Sequence, residues 1–193
     1  VAALLEQLFG LPVLDADRFA REALAPGSPG AVAVLARYGE QVRARTGSSL
    51  SASDAGPALD RAALGRIVFA DADERAWLEG LVHPLVRQRF AVELERLQQV
   101  PTVVLMIPLL FEAGLESLCS EVWLVDCDEP EQLRRLMVRD GLAAGEATAR
   151  LRAQWPLARK RALAQAVIDN SRANSDLPLQ LTNLLRSRFH GTR

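Results

Sequence analysis

Two short stretches, Thr-Val-Val-Leu-Met-Ile at 102–107 and Val-Trp-Leu-Val at 122–125, show no polar alternation. A strand with one wet face alternates apolar and polar residues, so both stretches are expected to be buried on two faces, as in a parallel sheet. Residues 11–14 and 167–168 read as further short strands, and helical patterns separate them. One covers residues 1–9 and stops at Gly10, one covers 18–24, and one closes the chain over 177–189. The helix after the second apolar stretch has Asp128 as N-cap, Pro130 in its first turn, Glu131 completing a capping box and Gly141 as its stop. This order predicts an α/β fold, a parallel sheet flanked by helices, whose ligands bind beyond the C-terminal strand ends. Between residues 26 and 99 the pattern turns helical, over 31–38, 61–69, 74–82 and 84–98. We read this region as a helical insertion, with 47–56 as its flexible loop.

With 193 residues the chain suits one domain carrying an inserted subdomain, and 49% hydrophobic with 24% charged residues excludes general disorder. No run reaches the roughly 18–20 apolar residues of a membrane helix, and no signal peptide is visible, so a cytoplasmic protein is expected. Cys119 and Cys127 are too few for a disulfide framework and are expected to be reduced. A net charge of -1 supplies no bulk attraction for nucleic acid or anionic lipid, so neither is expected as a partner. Lys160 is the single lysine among 23 Lys and Arg; every other cation is an arginine, which grips phosphate with two parallel hydrogen bonds. Codon composition is an equally good reason for that bias. The first helix has no capping residue before it and no initiator methionine, so an upstream strand is expected to precede Val1.

Four features carry possible chemistry. Asp15 and Asp17 sit two apart at a predicted strand end, where extended side chains share a face. One carboxylate there could take a proton while the other orients a substrate or holds a metal through water; alternatively Asp17 only caps the following helix. Arg21, one turn after Asp17, could pair with it or bind phosphate. His83-Pro84-Leu85-Val86-Arg87 places a proline at a predicted helix start with an imidazole before it and a guanidinium one turn later, a possible anion grip or a plain helix cap. Pro108-Leu109-Leu110-Phe111-Glu112 ends the apolar stretch with Glu112 as its first charge. Arg134, Arg135, Arg139, Arg150, Arg152, Arg159, Lys160 and Arg161 lie on short predicted helices around Gly141 and Gly145. Such a hairpin suits a lid over nucleotide phosphates, or a solvated charged face.

In order and spacing, Asp15-Ala16-Asp17-x-x-x-Arg21, His83-Pro84-x-x-Arg87, Pro108-Leu109-Leu110-Phe111-Glu112, Arg139-Asp140 and Ile168-Asp169-Asn170-Ser171 resemble the dephospho-coenzyme A kinases. The resemblance implies a nucleoside-monophosphate-kinase-like P-loop fold. Residues 1–25, 100–138 and 163–193 would form the nucleotide-binding core, 26–99 the helical acceptor-binding region and 139–162 the lid. It implies transfer of the ATP γ-phosphate to the ribose 3′-hydroxyl of dephospho-coenzyme A, with magnesium on the phosphates. Asp17 would be the general base and Arg139 the lid arginine at the transferring phosphate. Asp15, Arg21, His83 and Arg87 would serve the acceptor, Glu112 the site's edge and Asn170 the adenine; no residue is assigned as a metal ligand. The chain departs from the family pattern in three ways. It lacks the phosphate loop ending in Gly-Lys-Ser or Gly-Lys-Thr, so as printed it is expected to be inactive. Met106 replaces a frequent Asp, and Gln165 and Arg172 replace a common Asp and Gly. Another small-molecule kinase of this fold, or a non-catalytic nucleotide-binding protein without the loop, are the alternatives.

Overall fold

A computed structural model describes residues 1–44, 56–171 and 176–189. The elements in chain order are α1 (Ala2–Phe9), β1 (Val13–Asp15), α2 (Ala16–Ala23), α3 (Pro29–Tyr38), α4 (Arg61–Ala70), α5 (Ala72–Arg96) and β2 (Val104–Met106), then β3 (Trp123–Asp126), α6 (Glu129–Asp140), α7 (Ala144–Arg152), α8 (Leu157–Leu163), β4 (Ala166–Asp169) and α9 (Leu177–Phe189). They divide into two compact units, one of residues 12–107 and the other of residues 1–11 with 108–193. The loop expected over 47–56 falls almost wholly outside the described residues, as does Arg172.

In the unit of residues 12–107, β1 and β2 pair in parallel, with Val13 opposite Val104 and Asp15 opposite Met106. Leu14 is buried with Phe19, Val82, Val86 and Phe90, so the strand and helices α2 and α5 share one core. Phe19 and Phe90 meet edge to face, with ring centroids 5.0 Å apart, an arrangement that suits the aromatic quadrupoles. A second cluster, built on Ala31, Val34, Val42, Leu64 and Val68, joins α3 to α4. Glu74 ties α3 to α5 through a two-pronged bond from Arg37, at 2.7 and 2.9 Å, and a bond from the Tyr38 hydroxyl. The start of α3 needs glycine: a Cβ on Gly30 would stand 2.3 Å from the Ala23 carbonyl oxygen.

Helix α5 corrects the two predicted helices over 74–82 and 84–98. It is one helix of 25 residues with Pro84 inside it, not at a start. Proline removes one ladder hydrogen bond and crowds the carbonyl four residues back. Here that residue is Gly80, whose own surroundings are open, and Val82, Val86 and Phe90 bury the helix on either side of the break.

In the other unit, α1 ends at Gly10 with φ 64°, and its backbone N–H bonds back to Glu6 and Leu5 as a left-handed stop requires. Strands β3 and β4 pair in parallel, Trp123 opposite Ala166 and Asp126 opposite Asp169. Gln165 braces their start, its side chain accepting from Val122 N–H at 2.8 Å and donating to the Leu163 carbonyl. The two-faced burial expected for residues 122–125 is not met by β3, nor does its partner β4 show it. Ile168 is buried, while Val125 and Val167 are each more than 40% exposed. Within the described residues each sheet has two strands. Helix α6 starts and stops where its sequence predicts, with Asp128 accepting from Glu131 N–H and Gly141 at φ 67°. The expected capping box does not close: Asp128 N–H donates to Ser171 Oγ at 3.1 Å, and the Glu131 carboxylate holds Arg134 and Arg135. Both cysteines are free thiols. Among the described residues no helix is long and apolar enough to cross a membrane.

Candidate active site

The backbone leaves β1 in extended conformation at Asp15 and enters α2 at once, two residues before the predicted start. Asp15, not Asp17, is the N-cap: its Oδ1 accepts from Asp17 N–H at 2.8 Å and Arg18 N–H at 3.2 Å. Asp17 therefore stands in the first turn of a helix, and the shared extended face expected for the two carboxylates does not form. Once the helix starts at Ala16, a carboxylate at position 15 satisfies amides that the new helix leaves without partners. Asp17 is exposed, and among the described residues its carboxylate makes no hydrogen bond or ion pair. Arg21 follows one turn later on the same exposed face, and no ion pair joins it to Asp17. Met106, the residue paired with Asp15 across the sheet, adds no charge beside it.

His83 and Arg87 lie one turn apart on the exposed side of α5, the helix against which α2 packs. This unit thus gathers Asp15, at the end of β1, with Asp17, Arg21, His83 and Arg87 on two helices that share a core. The acceptor residues expected from the sequence all belong to it.

The other unit holds Glu112, Arg139 and Asn170. Glu112 is not a bare edge charge. Its Oε1 accepts from Trp155 N–H at 3.0 Å and pairs with Lys160 Nζ at 2.7 Å. Burial pushes its carboxyl upward, but the bonds from Lys160 and Trp155 outweigh burial and hold it below the usual range. The sequence places Lys160 in the cationic stretch, as part of a lid or a solvated face, and does not show this pairing. Its one sequence signal is that Lys160 is the single lysine of the chain.

Arg139 bonds to Asp140 through Nε at 2.7 Å and Nη2 at 3.1 Å, and Arg150 reaches the same carboxylate at 3.1 Å. The bond from Arg139 keeps the Asp140 carboxyl below its ordinary range. Arg134 and Arg135 both grip Glu131, and Arg161 is held by Asp126 at 2.6 Å. Most of the cationic stretch is therefore paired with carboxylates. Arg134, Arg135, Arg139 and Arg150 nevertheless line one open cleft of about 750 Å³ between α6 and α7. Beyond β4, Asn170 N–H donates to the Asp126 carbonyl at 2.7 Å, while its Oδ1 is buried with no hydrogen-bond partner among the described residues. That atom suits a donor on a bound group such as an amino-substituted base.

The dephospho-CoA kinase family model matches residues 1–176. The chain belongs to the dephospho-CoA kinase family. Dephospho-CoA kinase from Synechococcus sp. (strain CC9605) is 62% identical over 161 residues, which cover 83% of this chain and 73% of the relative. That from Synechocystis sp. (strain ATCC 27184 / PCC 6803 / Kazusa) is 45% identical over 177 residues, 92% of this chain and 83% of the relative. The crystal structure of TT1252 from Thermus thermophilus superposes with a TM-score of 0.74 at 37% identity, covering 96% of this chain and 88% of that one. Dephospho-CoA kinase from Campylobacter jejuni shares the fold, with a TM-score of 0.67 at 22% identity over 99% of this chain and 91% of its own. As a dephospho-CoA kinase the chain is a mixed α/β enzyme with parallel strands, and it acts in the final step of coenzyme A biosynthesis.

Proposed function

We propose that the enzyme transfers the γ-phosphoryl group of ATP to the ribose 3′-hydroxyl of dephospho-coenzyme A, with Asp17 as the general base. The observation that carries this reading is the contrast between two neighbouring carboxylates. Asp15 is occupied with two backbone amides, while Asp17 is exposed in the first turn with its carboxylate unbonded among the described residues. A base must be free to accept the hydroxyl proton as the new O–P bond forms and ADP leaves with the electrons of the old one. Arg21, His83 and Arg87 hold the acceptor's anionic groups, Arg139 meets the charge on the transferring phosphoryl oxygens, and Asn170 Oδ1 accepts from the adenine. Residues 26–99 serve as the acceptor-binding region, 139–162 as the lid and the remainder as the nucleotide-binding core.

Magnesium fits this residue set as an ion carried by the nucleotide. Among the described residues no three His, Cys, Asp or Glu side chains form a cage, and Mg²⁺ commonly uses one or two carboxylates together with substrate phosphates and water. Asp15 and Asp17 are the carboxylates available to it through water. When bound, magnesium supplies neutralisation of the phosphate charge.

The experiment, on a version of the chain that carries the phosphate loop, is ADP release measured across dephospho-coenzyme A, free adenosine, shikimate and nucleoside monophosphates. Dephospho-coenzyme A is expected to be preferred; clear preference for another acceptor overturns the proposal.

A further inference from the structure

Helix α8 carries three cations in succession, Arg159, Lys160 and Arg161, and successive helical residues point about 100° apart. Each is held by a different group. Arg159 lies over the Trp155 ring, 3.2 Å from its centroid. Arg161 pairs with Asp126, and Lys160 turns inward to Glu112. Lys160 is only 7% exposed and is the one charged residue buried among the described residues, a position that is costly without a partner. A single atom, Glu112 Oε1, accepts from both Lys160 and the Trp155 amide. Phe111, the residue before Glu112, stacks on the Trp155 ring at 6.4 Å with planes 6° apart. The linker from α7 to α8 is thus held by side chains of two adjacent residues, Phe111 and Glu112.

A buried ion pair adds little net stability over apolar packing, yet losing one partner is strongly disruptive. Helices α6 and α7 pack against each other and are joined by Asp140, which binds Arg139 on one and Arg150 on the other. The end of α7 then continues directly into the linker that Glu112 grips.

We propose that Glu112 is a positioning residue that, through Lys160 and the Trp155 amide, fixes the foot of the α6–α7 hairpin and so sets Arg139 for phosphoryl transfer. This rests on the lid role proposed above for Arg139. Displacement of a catalytic group by about 1 Å costs up to about 100-fold in rate.

Lys160 is the only lysine of this sequence, so on a version that carries the phosphate loop, reductive methylation followed by peptide mass analysis reads its release from its own peptide, separately from the loop lysine and the α-amine. In Glu112→Gln, Lys160 is expected to label at least about 10-fold faster and kcat to fall about 10-fold, with KM for dephospho-coenzyme A within about two-fold. The paired replacement Glu112→Leu with Lys160→Met, which removes both charges, is expected to recover part of kcat. Lys160→Met alone gives a second measurement of kcat should Glu112→Gln not fold, and the same 10-fold loss is expected. The proposal is overturned if Lys160 is released while kcat and both KM values stay at parental level, since the pair is then structural only. It is equally overturned if kcat falls with Lys160 still protected, or if the paired replacement is no better than Glu112→Gln, since Glu112 then acts on the reaction directly. If the parent enzyme prefers another acceptor, it is the functional reading that fails, and the labelling result stands apart from it.

Discussion

Asp15 and Asp17 are separated by one residue and perform different physical work, because the helix begins between them. Asp15 serves the amides of the first turn, so Asp15→Ala is expected to lower stability by about 0.5–2 kcal/mol, whereas Asp15→Asn, itself a good N-cap, keeps most of it. Asp17→Asn is expected to lower turnover by about 10²–10⁴-fold, the usual contribution of a positioned base. Thermal melting and steady-state turnover on the three variants separate the two roles. Large loss of turnover in a stable Asp15→Asn would place Asp15 in the reaction, and near-parental turnover in Asp17→Asn would remove Asp17 from it. The sequence shows the Asp-x-Asp pair plainly but not its division of labour. A predicted helix start at Arg18 makes Asp17 the natural cap, and the actual start at Ala16 moves that task back to Asp15.

At the scale of elements, α5 and α6 contrast a helix that violates its local rules with one that obeys them. Proline in a helix interior is about 3 kcal/mol worse than alanine, and Pro84 stands well inside α5. Pro84→Ala is expected to raise stability by about 1–3 kcal/mol, read as a higher denaturation midpoint with unchanged slope. A lower midpoint would mean that the proline ring contributes packing beyond its backbone cost. In α6, hydrogen bonds from Arg134 and then Arg135 lower the Glu131 carboxyl to about 2 from 4.5. A carboxyl depressed on folding stabilises the fold fully above its unfolded value, and that contribution drains away as pH falls towards the folded value. The melting-temperature gap between the parent and Glu131→Gln is therefore expected to be present at pH 6 and to close between pH 4.5 and about 2. It should also shrink with salt, since Arg134 is exposed. A gap that persists at low pH would show that Glu131 acts through packing rather than charge.

For the whole molecule, a ligand that binds only the folded state shifts the entire folding equilibrium. Dephospho-coenzyme A at about 100 times its Kd is expected to add about 2.7 kcal/mol of stability. His83→Ala and Arg87→Ala should lose most of that shift while melting near the parent without ligand, because both side chains are exposed. An undiminished shift would take both residues out of the acceptor site. Much at this scale is written locally. The stops at Gly10 and Gly141 and the capping of α6 by Asp128 depend on residues within a turn of one another, so the sequence alone shows them. The kinase family is legible for a related reason, since the order and spacing of motifs along a chain require no coordinates. Three other features depend on partners or packing beyond the local sequence. Asp15 becomes the cap because α2 starts where its core residue Phe19 meets Phe90 of α5. Pro84 stays inside a helix because Val82, Val86 and Phe90 are buried around it. Lys160 finds Glu112 because a lysine taken out of water needs an opposite charge, and folding, not proximity in the chain, brings that charge to 2.7 Å.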